Sequence, residues 1–378
     1  MSKLELSAEQ KRAVGGVLDW CKSRSVHPFT IAGYAGTGKT TVLGEIVDRL
    51  PCNDIMLCAP TGKAAAVIRE RMQGRDFVQV GTVHQFMYYP PKEGDGGELL
   101  FKKRKSIEAD LVIVDEASML SRQTLQDITG FGVPVLLVGD SFQLPPVNGD
   151  RISQLDSPDA QLTHVFRQAL DNPVIRLATH VRLEGRLPAD GFRKSDSGAC
   201  GVFSCRDSRG ASMALKFHAA ANRDDTTLLC HTNRTRQRLN MKIRDRLGFG
   251  GYLMPDEKIV VLRNVHSSEL YNGSVYRVES AVCGGKPNML LVHLKGYESQ
   301  FVLDANILGA ERPGKVPDFI VPAHYGYALS VHKAQGSEWT NVALYDEHPL
   351  NDDRGEYPHW VYTGITRARK NLLVLRRG

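Results

Sequence analysis

The hydrophobic positions of the chain fall into short apolar runs separated by longer stretches of helical character. In the first half these runs are Phe29–Ala32, Ile55–Ala59, Leu111–Val114 and Val135–Val138, each ending in a polar or glycine-rich loop. Strand-like runs alternating with helical stretches predict an α/β fold with parallel sheets. In open α/β sheets ligands bind at the carboxyl ends of the strands, so the loops after these runs are where chemistry is expected. A polar segment from about Met87 to Glu108 interrupts the pattern. It holds Pro90-Pro91, three glycines and the run Phe101-Lys102-Lys103-Arg104-Lys105, and reads as a small hairpin insertion with a basic arm.

A second α/β pattern begins near Arg167 with the strand Thr227–Cys230. From about Pro255 to Pro322 the periodicity shortens: Lys258–Leu262, a turn at Asn272-Gly273, Val275–Val278, Leu290–Leu294 and Phe301–Leu303. That block reads as an inserted small β-barrel. The α/β pattern resumes with Tyr327–Val331, Val342–Tyr345, Val361–Thr363 and Leu372–Leu375, all expected to be strands. The chain is thus expected to form two α/β cores, 1–86 with 109–167 and 168–254 with 323–378. Insertions at 87–108 and 255–322 interrupt them.

Composition narrows the class without selecting a function. At roughly 100–200 residues per domain, 378 residues suggest two or three domains. No run approaches the roughly 18 apolar residues of a spanning helix, and the start Met1-Ser2-Lys3-Leu4-Glu5-Leu6 has no apolar signal core. A cytosolic protein away from membranes is expected. Lys plus Arg number 48 against 42 acids, a net charge of +6, which is compatible with a polyanionic partner and does not require one. The seven cysteines show no paired metal spacing and are read as reduced and structural.

The strongest local signal is Gly33-Tyr34-Ala35-Gly36-Thr37-Gly38-Lys39-Thr40-Thr41, a G-x-x-x-x-G-K-[ST] loop between a strand and a helix. Glycines let successive N–H groups turn inward as an anion nest, and the following helix adds partial positive charge. Lys39 should reach the β- and γ-phosphates, and the Thr40 hydroxyl should hold Mg²⁺. Leu111–Val114 then ends in Asp115-Glu116. Alone, two acids after a strand are more often a solvated loop or a helix start. After a phosphate loop they read as a Mg²⁺ ligand, Asp115, and a base for the attacking water, Glu116. The third strand runs into Gly139-Asp140-Ser141-Phe142-Gln143, where the neutral Gln143 could sense the γ-phosphate; without its neighbours it would read as a surface turn.

With these residues in view the chain resembles a superfamily 1 helicase of the RecD/Dda-type branch, superfamily 1B, nearly from end to end. Leu6-Ser7-Ala8-Glu9-Gln10 resembles the Q motif, which would have Gln10 read adenine. The stretch Pro60-Thr61-Gly62-Lys63 resembles motif Ia, and Thr82-Val83-His84-Gln85-Phe86 resembles motif Ib. In the family both touch single-stranded DNA, which implies Pro60, Thr61, Lys63, Thr82, His84 and Phe86 as contacts. Phe86 is the candidate stacking platform; a lone aromatic would more often be core. Val165-Phe166-Arg167-Gln168 resembles motif IV, with Arg167 facing the γ-phosphate. His231-Thr232-Asn233-Arg234 resembles the strand-contacting motif, implying Thr232, Asn233 and Arg234.

The stretch Ser330-Val331-His332-Lys333-Ala334-Gln335-Gly336-Ser337-Glu338 resembles motif V. It implies Ser330, His332 and Lys333 toward DNA and Gln335, Gly336 and Glu338 toward the nucleotide. Thr366-Arg367-Ala368-Arg369 resembles motif VI, with Arg367 as the arginine finger. The insertions fall where the family has its 1B wedge and its Src-homology-3-like 2B domain. Tyr88, Tyr89 and Phe101 are the wedge candidates. Lys102–Lys105 reads equally as a solvated charge run or a guide for duplex.

The resemblance implies ATP and Mg²⁺ in a cleft between two RecA-like domains and 5′ to 3′ translocation coupled to unwinding. It implies single-stranded and forked DNA as partners, with single-strand-binding or replisome proteins besides. A monomer in a bacterial or phage-infected cytoplasm would fit. The same motor motifs would also serve a protein-displacing translocase, a partner-dependent subunit of a replication or recombination complex, or an RNA helicase.

Overall fold

The structure is a computed structural model. It describes the whole chain apart from residues 1–5, 24, 90–91, 94–98, 101, 147–149, 167–170, 207, 266–269, 312–316, 318, 350–354 and 377–378. Two compact units divide it, Met1–Leu170 and Asp171–Gly378.

The first unit is built on β1 (Phe29–Gly33), β2 (Ile55–Ala59), β3 (Val78–Thr82), β6 (Leu111–Val114), β7 (Val135–Gly139) and β8 (Ala160–Leu162). They form one parallel sheet in the order β3-β2-β6-β7-β1-β8. Helices on its faces leave β2, β6 and β7 buried at every residue, which is why their sequences run apolar without alternation. The order reverses across β1, β7 and β6, and the loops leaving these three strands carry the glycine-rich segment Gly33–Thr41, Asp115-Glu116 and Asp140–Gln143. Between β3 and β6, a short antiparallel pair, β4 (Lys92–Glu93) with β5 (Leu99–Leu100), is extended by a bridge between Tyr88 and Lys103.

The second unit has a six-stranded sheet and a five-stranded one. The first comprises β9 (Gly191–Ser195), β10 (Gly198–Ser204), β11 (Thr226–Cys230), β17 (Ala328–Ser330), β18 (Trp339–Asp346) and β19 (Ala368–Arg376), in the order β17-β11-β18-β19-β10-β9. All its pairs are parallel except the β9–β10 hairpin at one edge. The other sheet is antiparallel, ordered β15 (Gln300–Asp304), β14 (Met289–Leu294), β13 (Val275–Cys283), β12 (Lys258–Val261) and β16 (Ala323–Tyr325).

Both sheets of the second unit share one hydrophobic cluster, in which Leu228, Ile243 and Leu373 join Ile259, Val278 and Leu303. Buried charges fasten them further. Arg244 makes a two-armed ion pair with Glu257 at 2.6 and 2.9 Å. The Lys258 ammonium donates to the carbonyls of Ala221, Thr226 and Arg223. The Arg236 guanidinium donates to Ala310 O, Glu311 O and His324 Nδ1. Burial and the Arg236 charge hold His324 down to about 3, so its ring stays neutral and can accept.

Two expectations need correction. Val361–Thr363 is not a strand but lies within the helix Tyr357–Ile365. Seven of its nine residues are buried, which masks the helical period. The antiparallel sheet also runs past Pro322, because β16 pairs with β12. Among the described residues, no helix is long and apolar enough to cross a membrane.

Candidate functional site

At the carboxyl edge of the first sheet, β1 leads through the glycine loop into the helix Lys39–Arg49. Gly36 and Gly38 sit at φ +81° and +79°, a region closed to most side chains. The helix start has no side-chain cap, so its first N–H groups are left to an anion. A Cβ on Gly38 would come within 2.5 Å of Gln10 Nε2. The Lys39 ammonium turns onto the loop, 2.7 Å from Gly33 O and 3.2 Å from Tyr34 O, with Asp140 Oδ2 at 3.8 Å. Thr37 closes the loop by donating to Tyr34 O at 2.8 Å. Ala35 lies within it, and Thr41 is in the first turn of the helix.

Gln10 is buried and its amide is spent within the protein. Its Nε2 donates to Thr37 O at 3.1 Å, and its Oε1 accepts from the Ser7 amide at 3.0 Å. In this conformation the residue expected to read a base ties the first helix to the phosphate loop.

Asp115 and Glu116 follow β6. Burial raises the Asp115 carboxyl above its ordinary value, against the Glu116 amide that donates to it at 2.9 Å and the nearby Lys39 and Arg71 charges. Glu116 stands at φ +53°, left-handed backbone that a non-glycine residue adopts at a cost of roughly 1–3 kcal/mol. The Thr40 hydroxyl accepts from Arg71 Nη1 at 3.3 Å. After β7, Gln143 is buried with no partner for Oε1 among the described residues.

The motif threonines share one device. Thr61, Thr82 and Thr232 are each the N-cap of the helix that follows a strand, accepting from the amides of Ala64, Gln85 and Thr235 at 3.2, 3.2 and 3.1 Å. Pro60 and Lys63 flank the first cap, both half-buried. His84 stacks on Tyr88 with centroids 5.4 Å apart, and partial desolvation lowers its pKa. Phe86 packs on Gly81 and the adjoining core, so half of it is structural.

The Tyr88 hydroxyl donates to Asp127 at 2.5 Å, and Lys103 lies 3.8 Å from the same carboxylate and over the Phe131 ring. Arg104 sits over the Tyr89 ring. Tyr88 and Lys103 are therefore anchors of the hairpin stem. Phe101 lies outside the described residues.

In the second unit, Arg367 is 3% exposed and spends its guanidinium at home, on Thr363 O, Ser337 O and the Thr366 hydroxyl. Gln335 is buried, Gly336 takes φ +69° and Glu338 is exposed. Ser330 is buried, and its hydroxyl receives the Lys333 amide at 3.4 Å. Burial, aided by Arg236, pushes Lys333 down to about 8, and burial lowers His332. Asn233 is half-buried and Arg234 exposed. Arg167 lies outside the described residues.

Sequence reading missed Glu347. Its carboxylate accepts from the amides of His231 and Thr232 and from the hydroxyls of Thr232 and Thr235. The available signal was an apolar strand ending in two acids, the same one that marked Asp115-Glu116.

A parallel sheet whose first strand runs into a glycine-framed, uncapped helix start is the architecture of P-loop proteins. The chain matches the family described as AAA domain over residues 5–197 and that described as UvrD-like helicase C-terminal domain over 325–375. It is 31% identical over 366 residues to the ATP-dependent RecD2 DNA helicase of Deinococcus radiodurans, covering 90% of this chain and 45% of that protein. To the ATP-dependent DNA helicase dda of Enterobacteria phage T4 it is 28% identical over 264 residues, 64% of this chain and 57% of that one. The chain thus spans about half the length of these relatives. A Bacteroides Pif1 helicase crystallised with ADP-AlF3 and single-stranded DNA shares the fold, with a TM-score of 0.56 at 16% identity over 98% of this chain and 92% of that one. This chain belongs to the superfamily 1B helicases, in the RecD/Dda-type branch.

Proposed function

We propose that the chain is an ATP-dependent DNA helicase that moves 5′ to 3′ along single-stranded DNA and separates duplex at a fork. The observation that carries this reading is the convergence at one sheet edge of Lys39, Asp115-Glu116 and Gln143 around an uncapped helix start, with Thr61 and Thr82 capping neighbouring helix starts on the same edge. The open N–H groups and Lys39 would bind the β- and γ-phosphates. Glu116 would take the proton of the attacking water, and Gln143, with an acceptor to spare, would orient that water.

The oxygen donors Thr40 and Asp115 fit a hard cation, and Mg²⁺ held there would neutralise charge on the phosphate oxygens. Arg367 would have to exchange its internal partners before acting on a phosphoryl group, as would Gln10 before reading a base. Arg167 completes the proposed set. Residues 87–108 would be the wedge, with Tyr88 fixing its base. The antiparallel sheet would be the Src-homology-3-like insertion. The partners would be single-stranded and forked DNA.

The test is unwinding of matched 5′-tailed and 3′-tailed duplexes with ATP and Mg²⁺, with Lys39→Ala as the blank. Unwinding of the 5′-tailed substrate alone is expected. Preference for the 3′-tailed one would overturn the polarity. DNA-stimulated ATPase without strand separation would make the chain a translocase or a partner-dependent motor.

A further inference from the structure

Glu347 leaves the end of β18 and turns back over the junction between β11 and the helix Asn233–Leu247. Oε1 accepts from the amide of His231 at 3.1 Å, the amide of Thr232 at 3.0 Å and the Thr232 hydroxyl at 3.4 Å. Oε2 accepts from the Thr235 hydroxyl. One carboxylate thus gathers four donors around a helix N-terminus, where the helix dipole favours negative charge. Thr232 already caps this helix through its own side chain, so Glu347 is a second restraint on the same turn. It comes from a different strand and fixes the turn against the interior of the sheet.

The turn it fixes carries Thr232, Asn233 and Arg234. A carboxylate beside a nucleic-acid backbone repels phosphates, so charge counting alone makes Glu347 a liability for binding. A brace that presents the turn makes it an asset. The two effects have opposite signs, and the geometry favours the second, because both oxygens face the turn's donors.

We propose that Glu347 is a positioning residue for single-strand binding, holding Thr232–Arg234 in the shape that meets the DNA backbone. This rests on the reading of that segment as a strand contact.

The experiment is fluorescence anisotropy of the full chain with a labelled oligo-dT, at low and moderate salt, for Glu347→Gln, Thr235→Val and Asn233→Ala. The DNA concentration giving half-maximal ATPase stimulation is read alongside. Glutamine keeps the shape and one acceptor, so folding should survive, and a matching thermal melt checks it. Expected are a weakening of about tenfold for Glu347→Gln, from lost charge-assisted hydrogen bonds, and a smaller weakening for Thr235→Val. The half-stimulating DNA concentration should rise in step, while the rate at saturating DNA stays within about twofold.

Unchanged or tighter binding in Glu347→Gln, with Asn233→Ala weakened, would overturn the brace and leave the strand contact standing. No weakening in any of the three would remove the strand contact and the brace with it. If Glu347→Gln weakens binding only through a melted fold, Thr235→Val decides, since it removes a single donor: an unchanged affinity there overturns the proposal.

Discussion

Two strands of this chain end in the same pair of acids, and the pairs do different work. Asp115-Glu116 follows β6 and Asp346-Glu347 closes β18; both strands lie inside parallel sheets and are flanked on either side. In the first unit the pair faces an uncapped helix start, and Glu116 is held in left-handed backbone. In the second, Asp346 receives the Tyr357 hydroxyl at 3.1 Å, and Glu347 fills a helix start that Thr232 already caps. A helix start without a side-chain cap and one filled by the protein's own carboxylate are alternative outcomes of one local pattern. The composition of the neighbouring loop decides between them: glycines and Lys39 at one, His231-Thr232-Asn233 at the other.

The comparison breaks most visibly at Glu116. Glu116→Gln should lower ATP turnover by roughly 10²–10⁴-fold, the usual worth of a general base, with nucleotide affinity nearly unchanged. Steady-state hydrolysis beside equilibrium nucleotide binding would check this. Normal turnover would return Asp115-Glu116 to the role its counterpart plays.

A smaller effect is expected at Gly38, where an added Cβ meets both a φ of +79° and Gln10 Nε2. Gly38→Ala should weaken nucleotide binding about tenfold, the equivalent of roughly 1–2 kcal/mol of left-handed strain. The smallest change is Asp346→Asn, which weakens one hydrogen bond of a half-buried carboxylate. It should cost about 1 kcal/mol of stability in a denaturant melt and leave hydrolysis intact.

Much of this is legible in the sequence. The glycine-framed loop and the four apolar strands around it were readable because a fully buried parallel strand and a run of glycines leave strong local signatures. The strands β3, β8 and β9 left none. β9 is an edge strand with Phe192, Arg193 and Lys194 exposed, and β8 is only Ala160–Leu162. The helix Tyr357–Ile365 reads in part as a strand because burial of seven of its nine residues masks the period that distinguishes the two. For Glu347 the two-acid strand end is legible but its role is not: its partners lie more than a hundred residues away, and only the fold brings them together.

The buried cations of the second unit bear on how that unit melts. Arg236, Arg244 and Lys258 each reach between the α/β core and the antiparallel sheet or its connecting loops, and all three are buried. Separating the two sheets would break these hydrogen bonds and expose the hydrophobic cluster they share, Leu228, Ile243 and Leu373 with Ile259, Val278 and Leu303, to water. The antiparallel sheet and the six-stranded sheet therefore form a single foldon: amides in β12 and β13 should exchange with solvent at the same rate as those in β11 and β18, through the same global opening.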